Sequence, residues 1–510
     1  MPRRPLVSLL LVATFSAANA DEPARTGATI YRDMCASCHG DKGQGVADKY
    51  DDPLYGERSI PSLSKYIDKN MPEDKADTLD ADGSAKVAEY IFNSFYSPEA
   101  RARNHPPRID LTHLTNRQFQ ESVADLMGSF IEQPPPGAPA GLRAEYYESD
   151  GMNKKAKQKK EREDAALEFD FGTGPPVEGC SAEQFSIAWQ GSLIAEETGF
   201  YEFRLRTPNG ARLYLNRDFR DGDRNSRDDS DARRQPALID EWVSSGDIVR
   251  EATARVFLLG GRRYPIRLDY FKFKEKTASI KLEWKAPHAV WQVLKAPHIS
   301  PARAAHVSVV STVFPPDDSS TGYERGSAVS KSWHEATTKA AIESGNEVVD
   351  RMRTLAKTRD NAPDFIDKLK EFGGTLAERA FRRTLSAEEK AFFVDRHFTK
   401  DLAPDVALKR AVMLILKSPR FLYPEFGKTA DDYTAASRLA LCLWDSLPDA
   451  PLLEAAKKAE LHTPEQLRAQ ATRMMSDARA KNKLREFFHE WLSFDEAAEI
   501  NKDREAWPDF

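Results

Sequence analysis

Between residues 139 and 290 the apolar residues fall on every second position, whereas the segments on either side repeat every three or four. Phe185, Ile187 and Trp189 alternate with polar neighbours, as do Tyr201, Phe203 and Leu205, and then Ala211, Leu213 and Leu215. Tyr264, Ile266, Leu268 and Tyr270 repeat the pattern, and Ile280, Leu282 and Trp284 close it. Alternation of this kind, broken by turn pairs such as Thr198-Gly199 and Asn209-Gly210, predicts an antiparallel β-sandwich. A sheet module between helical flanks makes the chain multidomain α plus β: a small all-α N-terminal domain, the sandwich at 139–300, and a C-terminal all-α region. At roughly 100–200 residues per domain, the 510 residues fit three or four such units.

The flanks carry their own punctuation. Thr115 and Gln118 form a capping box ahead of Phe119, Val123, Leu126 and Met127, and Gly128 follows the last of these. A further helix runs through Val349 and Met352. Segments 105–131 and 313–356 are expected to be one helical domain split by the sandwich, since insertion costs little when a guest's termini lie close together. Helical domains are expected at 372–426 and 431–510, started in part by Ser386 with Glu389 and by Thr463 with Gln466. Leu484, Phe487, Phe488, Trp491 and Leu492 follow a helical stripe read as core, and His489 and Glu490 beside it are given no catalytic role. Cys180 reads as a loop thiol and Cys442 as a buried apolar residue, with no pairing between them.

Two charged segments interrupt the sandwich. Lys154 to Asp164 reads as a solvated loop. Arg217 to Arg234 contains Asp221-x-Asp223-x-Asn225, the first half of a calcium loop. Ser226 stands where that loop needs its glycine and Ala232 where it needs its bidentate glutamate, so a salt-bridged excursion is expected instead.

The first residues read as an export signal. Arg3 and Arg4 precede the apolar run Leu6 to Thr14, and Ala18-Asn19-Ala20 is a small-residue cleavage site, placing a signal peptide at 1–20. The run is too short for the ~20 residues of a membrane span, and no longer apolar run follows, so no transmembrane segment is expected. The net charge of −6 argues against a nucleic-acid partner.

Export gives meaning to Cys35-Ala36-Ser37-Cys38-His39. Two thiols three residues apart on a helical turn can each add to a haem vinyl group, which sets the adjacent His39 under the iron. A zinc site would need further ligands at paired spacing, and the sequence has no second C-x-x-C or H-x₃₋₅-H. Helical residues Gly27 and Tyr31 lead into the motif, and Val87, Ala88, Tyr90 and Ile91 form the apolar face of a closing helix. Between them stands Asn70-Met71-Pro72. Met71 is expected as the sixth iron ligand, because Met34 is pinned beside Cys35. His105 and His113 lie beyond the closing helix and are expected at the surface. Covalently bound haem c is therefore the expected cofactor, with Cys35, Cys38, His39 and Met71 as its residues and His39 and Met71 on the metal.

In its C-A-S-C-H-G and N-M-P motifs, segment 23–98 resembles class I cytochrome c. Gly141 to Tyr147, Asn209 to Asn216 and Leu238 to Trp242 resemble the domain named after anthrax protective antigen, here PA-fourteen. That resemblance implies carbohydrate binding. Sugar-binding members present an acidic pair on a turn that here reads Pro208-Asn209-Gly210, so a purely structural or protein-docking sandwich is an equal competitor. Ala380 to Leu385, Ser418 to Tyr423, Ser437 to Ala440, Leu443 to Asp449 and Phe488 to Leu492 complete a resemblance to large planctomycete multidomain cytochromes containing domains of unknown function. Members usually continue several hundred residues further, which makes this sequence a fragment or an unusually short member.

The residues favour an extracytoplasmic, periplasmic electron carrier that exchanges electrons with a redox partner protein while the sandwich docks to polysaccharide or the cell envelope. One alternative is an oxidoreductase whose helical region, or a missing C-terminus, oxidises a substrate and passes electrons to the haem. No flavin fingerprint, quinone motif, metal cluster or Ser/His/Asp set stands in residues 300–510 to support it. The other is a glycan-binding scaffold, marked by glycan binding that survives Cys35→Ala and Cys38→Ala.

Overall fold

The computed structural model of the protein describes residues 25–56, 58–73, 78–104, 111–149, 157–217, 236–243, 246–320, 323–426, 431–492 and 494. The expected signal peptide, His105 and the calcium-like half-motif at 221–225 lie outside the described residues. The chain divides into two compact units, residues 1–110 and residues 111–510.

Within the second unit, alternation does what it predicts. Strands β1 (Leu142–Tyr147), β2 (Gln158–Asp164), β3 (Glu168–Gly172), β4 (Gln184–Ala195), β5 (Gly199–Thr207) and β6 (Gly210–Leu215) are followed by β7 (Ile239–Glu241), β8 (Arg250–Leu258), β9 (Arg262–Phe273), β10 (Ala278–Lys285), β11 (Gln292–Val293) and β12 (Ile299–Ser300). One sheet runs β2-β1-β4-β9-β6-β7 with β12 on β4, and the other runs β11-β10-β5-β8 with β3 on β10. All the strand pairs are antiparallel. Phe185, Ile187, Trp189, Phe203, Leu205, Leu268, Tyr270, Leu282 and Trp284 meet in one core between the two sheets. Each such side chain withdraws apolar surface from water, about 1.5–3 kcal/mol apiece.

The charged run before Asp164 is not a loop. Residues 158–164 form β2, in register with β1 from Leu142↔Asp164 to Tyr147↔Gln158. The alternating charges hold this strand at the edge of the sheet: Arg143 pairs with Glu161 at 2.5 Å and Lys159 with Glu148 at 2.6 Å, while Arg162 and Asp164, both on β2, pair with each other at 2.6 Å. Cross-strand charge pairs and solvated side chains suit an edge position.

The helices Asn116–Gly128, Lys331–Asp350, Phe365–Phe381 and Pro404–Lys417 share a second core containing Phe119, Val123, Trp333, Val348, Leu376 and Val412. The capping boxes at Thr115, Ser386 and Thr463 all form. A third core around Ala436, Ala440, Trp444, Leu452 and Met474 belongs to residues 431–492. Here two expectations fail. Cys442 is exposed, because helix Asp432–Trp444 buries the face of Ala436, Ala440 and Trp444 and Cys442 falls on the other side. The stripe on helix Ala478–Trp491 is also exposed: Phe487 is 52% and Trp491 65% accessible, since this helix turns Ala480 and Asn482 inward instead.

Buried charges join the modules of the second unit. Glu121 and Asp125, one turn apart on helix Asn116–Gly128, both accept hydrogen bonds from Arg262 at the start of β9. Asp125 also accepts from Arg479 at 2.7 Å and Ser446 at 2.6 Å. Burial works against the Asp125 carboxylate, but the two guanidiniums hold it well below the usual carboxylate range. Burial pushes the Glu121 carboxyl up while Arg262 pulls it back. Asn482 donates to Thr198 at 3.1 Å, adding a neutral tie between sandwich and C-terminal helices.

Candidate functional site

In the first unit the motif is positioned by a helix built in three pieces. Gly27–Ile30 is capped by the Thr26 hydroxyl, Tyr31–Cys35 forms one π-turn, and Ala36–His39 completes it. Gly40, at φ +80°, stops the helix in a conformation that favours glycine. Tyr31 donates its hydroxyl to the Gly40 carbonyl at 2.7 Å, stapling the start of the helix to its end. The Tyr31 ring packs against Tyr90 and Phe95, centroids 5.3 and 5.5 Å away. This anchors the motif on the closing helix Ala81–Ile91. Gly27 is needed at that crossing, since a Cβ there would stand 2.1 Å from the Lys86 carbonyl oxygen.

The opposite wall is helix Ile60–Asn70, which turns Leu63 and Ile67 into the core. Met71 follows its last turn, its N–H bonded to the Ile67 carbonyl at 2.9 Å. Cys35, Cys38, His39 and Met71, 36 positions apart at the extremes, line one cavity of about 320 Å³ together with Leu54, Leu63, Ile67 and Ile91. Met34 lines it too, although its place beside Cys35 is the sequence reason for passing it over.

The donor set suits a covalently held haem. His39 is half-buried, its Nδ1 sealed from solvent without a hydrogen-bond partner, and its ring stands edge-on to Tyr50 with centroids 4.5 Å apart. Burial pushes its imidazole below the ordinary value, which favours the neutral ring that offers a lone pair to a metal. Burial, and then the neighbouring Cys38 thiol, push the Cys35 thiol up to about 11, whereas Cys38 is exposed. Met71 contributes a soft thioether beside Leu63 and Ile67. Among the described residues, no three His, Cys, Asp or Glu side chains converge as an alternative metal site.

Several lining residues escaped the sequence reading. Tyr50, Arg58 and Tyr96 all border the cavity. Arg58 lies over the Tyr66 ring at 4.6 Å, and Lys49 donates to the Ser37 carbonyl at 3.0 Å. Leu63 and Ile67 carry an i, i+4 spacing that could have placed them, whereas Lys49 and Tyr50 sit in an irregular connection with no period to read.

His113 is not a surface residue. It belongs to the second unit, is 4% exposed, and stacks on Trp333 with centroids 4.1 Å apart. Its ring nitrogens lie 2.7 and 3.1 Å from the carbonyl oxygens of Leu114 and Ala328, so its imidazole is committed to the helical core.

The sandwich turn at 208–210 is internal. Asn209 is fully buried; its Oδ1 accepts from the Tyr270 hydroxyl and the Ser279 N–H, and its Nδ2 donates to the Thr277 carbonyl. A Cβ at Gly210 would overlap the Phe271 ring at 1.9 Å. Any ligand of the sandwich is therefore taken elsewhere than at Asn209.

Three family models match this chain in succession. Residues 22–91 match the cbb3-type cytochrome c oxidase subunit III model, residues 139–290 the PA14 domain, and residues 430–510 a protein of unknown function (DUF1592). In this order the three matches agree with a multidomain cytochrome c carrying a PA14 insert. Among curated proteins, the anti-sigma-I factor RsgI3 of Acetivibrio thermocellus is 25% identical to this chain over 166 residues, 32% of its length. The match spans only 22% of RsgI3. A solved anti-sigma factor domain-containing protein from Clostridium clariflavum is 26% identical, with TM-score 0.26, over 32% of this chain and 49% of that one. A PA14 sugar-binding domain from an RTX adhesin is 14% identical, with TM-score 0.22, over 32% of this chain and 98% of that one. No helix among the described residues is long and apolar enough to cross a membrane.

Proposed function

We propose that this protein is an extracytoplasmic electron carrier, exported by residues 1–20. Cys35 and Cys38 would hold haem c through thioether bonds, and His39 and Met71 would serve as its metal ligands. The observation that carries this reading is the convergence of these four residues on one cavity. When bound, the group supplies reversible one-electron chemistry at iron.

The protein's own residues account for the rest. Leu54, Leu63, Ile67 and Ile91 give the cavity an apolar side against which the group would pack, and a soft thioether ligand would favour the reduced state. Tyr31 and the Gly27 crossing fix the helix that carries His39. The exposure of Cys38 leaves one edge of the cavity open to a docking redox partner. If His39 and Met71 both bind the metal, neither donor leaves room for substrate there, and the reading favours electron transfer over catalysis at iron. The sandwich, residues 139–300, would dock the carrier to carbohydrate or the cell envelope. It would divide a helical domain of 105–131 and 313–356, whose helices share one core with those of the domain expected at 372–426, ahead of a helical domain at 431–510.

Covalent attachment is tested by haem staining after denaturing electrophoresis. The mature chain, made with haem-maturation machinery, should retain stain, and the Cys35→Ala/Cys38→Ala chain should lose it. Met71→Leu should change the reduced spectrum while Met34→Leu leaves it intact; the reverse would reassign the sixth ligand.

A further inference from the structure

A second and larger cavity, about 740 Å³, opens in the second unit where β9, helix Asn116–Gly128 and residues 447–479 meet. Its volume falls within the range of about 300–1,000 Å³ typical of small-molecule sites. The charges around it are unequal in commitment. Each lining carboxylate is engaged by an arginine: Asp125 by Arg262 and Arg479, Asp477 by Arg479, and Asp449 by both terminal nitrogens of Arg473 at 2.7 and 3.0 Å. Arg263 and Arg379 line the same cavity but have no carboxylate within ion-pairing distance among the described residues. Arg263 donates to the Pro134 and Pro135 carbonyls, at 2.7 and 3.4 Å. Arg379 donates to the carbonyl and hydroxyl of Ser129, at 3.0 and 2.6 Å, and lies over the Phe130 ring at 4.3 Å. Two half-buried guanidiniums thus grip opposite ends of the 129–135 connection, each with N–H groups left over. Burial pushes both guanidiniums down, as expected of cations withdrawn from water with little compensating charge.

We infer that this cavity binds a small organic anion, a carboxylate or phosphate head group on a body that can lie against an apolar wall, with Arg263 and Arg379 as its recognition residues. A guanidinium presents its donors in a planar fork that matches an oxyanion, and charged hydrogen bonds are the stronger class. The surrounding Leu126, Pro136, Val307, Leu447 and Pro448 supply an apolar surface for the body of such a ligand. This site is separate from the haem cavity and does not rest on the haem reading.

The test is isothermal titration of the full haem-loaded chain with glucuronate, glucose 6-phosphate and glucose at low salt. At least one acidic sugar should bind and glucose should not; which one binds separates a carboxylate from a phosphate head. Arg263→Gln combined with Arg379→Gln should weaken binding roughly tenfold or more per guanidinium, with the haem spectrum and tryptophan emission unchanged. Raising sodium chloride from 20 to 200 mM should weaken wild-type binding, a readout independent of whether the variant folds. No binding of either acid by the wild-type chain, equal binding of glucose, or unchanged affinity in the double variant would overturn the proposal and leave the arginines as fasteners of the 129–135 connection.

Discussion

Replacing Arg262 by Met should destabilise the second unit strongly, and in a pH-dependent way. Glu121 is 2% exposed, and with Arg262 gone its remaining hydrogen-bond donor is the Thr198 hydroxyl at 3.4 Å. Asp125 would keep Arg479 and Ser446. The variant can escape an unpaired buried charge by protonating Glu121. Taking the ordinary glutamate pKa of about 4.3 and 1.36 kcal/mol per pH unit, that escape costs about 3.7 kcal/mol at pH 7 and about 1 kcal/mol at pH 5. This accords with the roughly 3–5 kcal/mol usual for breaking a buried pair. The sign follows from the shift: a carboxyl whose folded pKa is raised favours the folded state at low pH and loses that advantage as pH rises. The deficit should therefore be large at pH 7 and shrink toward pH 5. Urea unfolding followed by tryptophan emission reads it directly, because all 8 tryptophans lie beyond residue 111. Adding Glu121→Met to Arg262→Met should restore at least half the loss. A single-variant loss under about 1 kcal/mol, a deficit independent of pH, or no recovery in the double variant would refute the reasoning.

Other expectations are more local. Gly27→Ala should lower the thermal midpoint of the haem Soret band, since the new Cβ meets the Lys86 backbone and overpacking of this kind costs roughly 1–3 kcal/mol; an unchanged midpoint would mean that the two helices can part freely. Trp491→Glu should change unfolding stability by less than about 0.5 kcal/mol, where a core tryptophan would cost about 3–5. For Glu389, the hydrogen bond from Arg383 and the Ser386 N–H outweigh burial and hold its carboxyl at about 2. Its depressed pKa contributes stability above the unfolded value, lost as pH falls from about 4.3 toward 2. The difference between wild type and Glu389→Gln, measured by urea unfolding, should be level above pH 5 and vanish toward pH 2.

What could be read from the sequence was what local periodicity or local chemistry decides. The period-two runs from Phe185 to Trp284 became strands, and Thr115, Ser386 and Thr463 capped the helices they were expected to cap. The cysteine pair, His39 and Met71 were named from spacing and ligand chemistry, and the fold draws them together. The misreadings arose where tertiary placement overrides pattern. The charges of residues 158–164 looked like a loop because an edge strand with cross-strand partners needs no apolar face. The stripe from Leu484 to Leu492 has the spacing of a buried face, and spacing alone does not say whether a neighbour covers it. His113 was judged by its distance from the haem motif, whereas its environment is set by Trp333, more than two hundred residues away in the chain. Arg262, Glu121 and Arg479 left no local signature at all, since their meaning lies in a junction of three distant segments.

The central claim is a haem that Cys35 and Cys38 would fix, with His39 and Met71 as its metal ligands. The most direct measurement is the visible spectrum of the mature chain, oxidised and reduced, with carbon monoxide added to the reduced sample. A low-spin spectrum that carbon monoxide does not alter in the wild type, but does alter in Met71→Leu, is the predicted result. Rapid carbon monoxide binding by the wild-type protein would contradict it, showing an open sixth position and returning catalysis at iron to consideration.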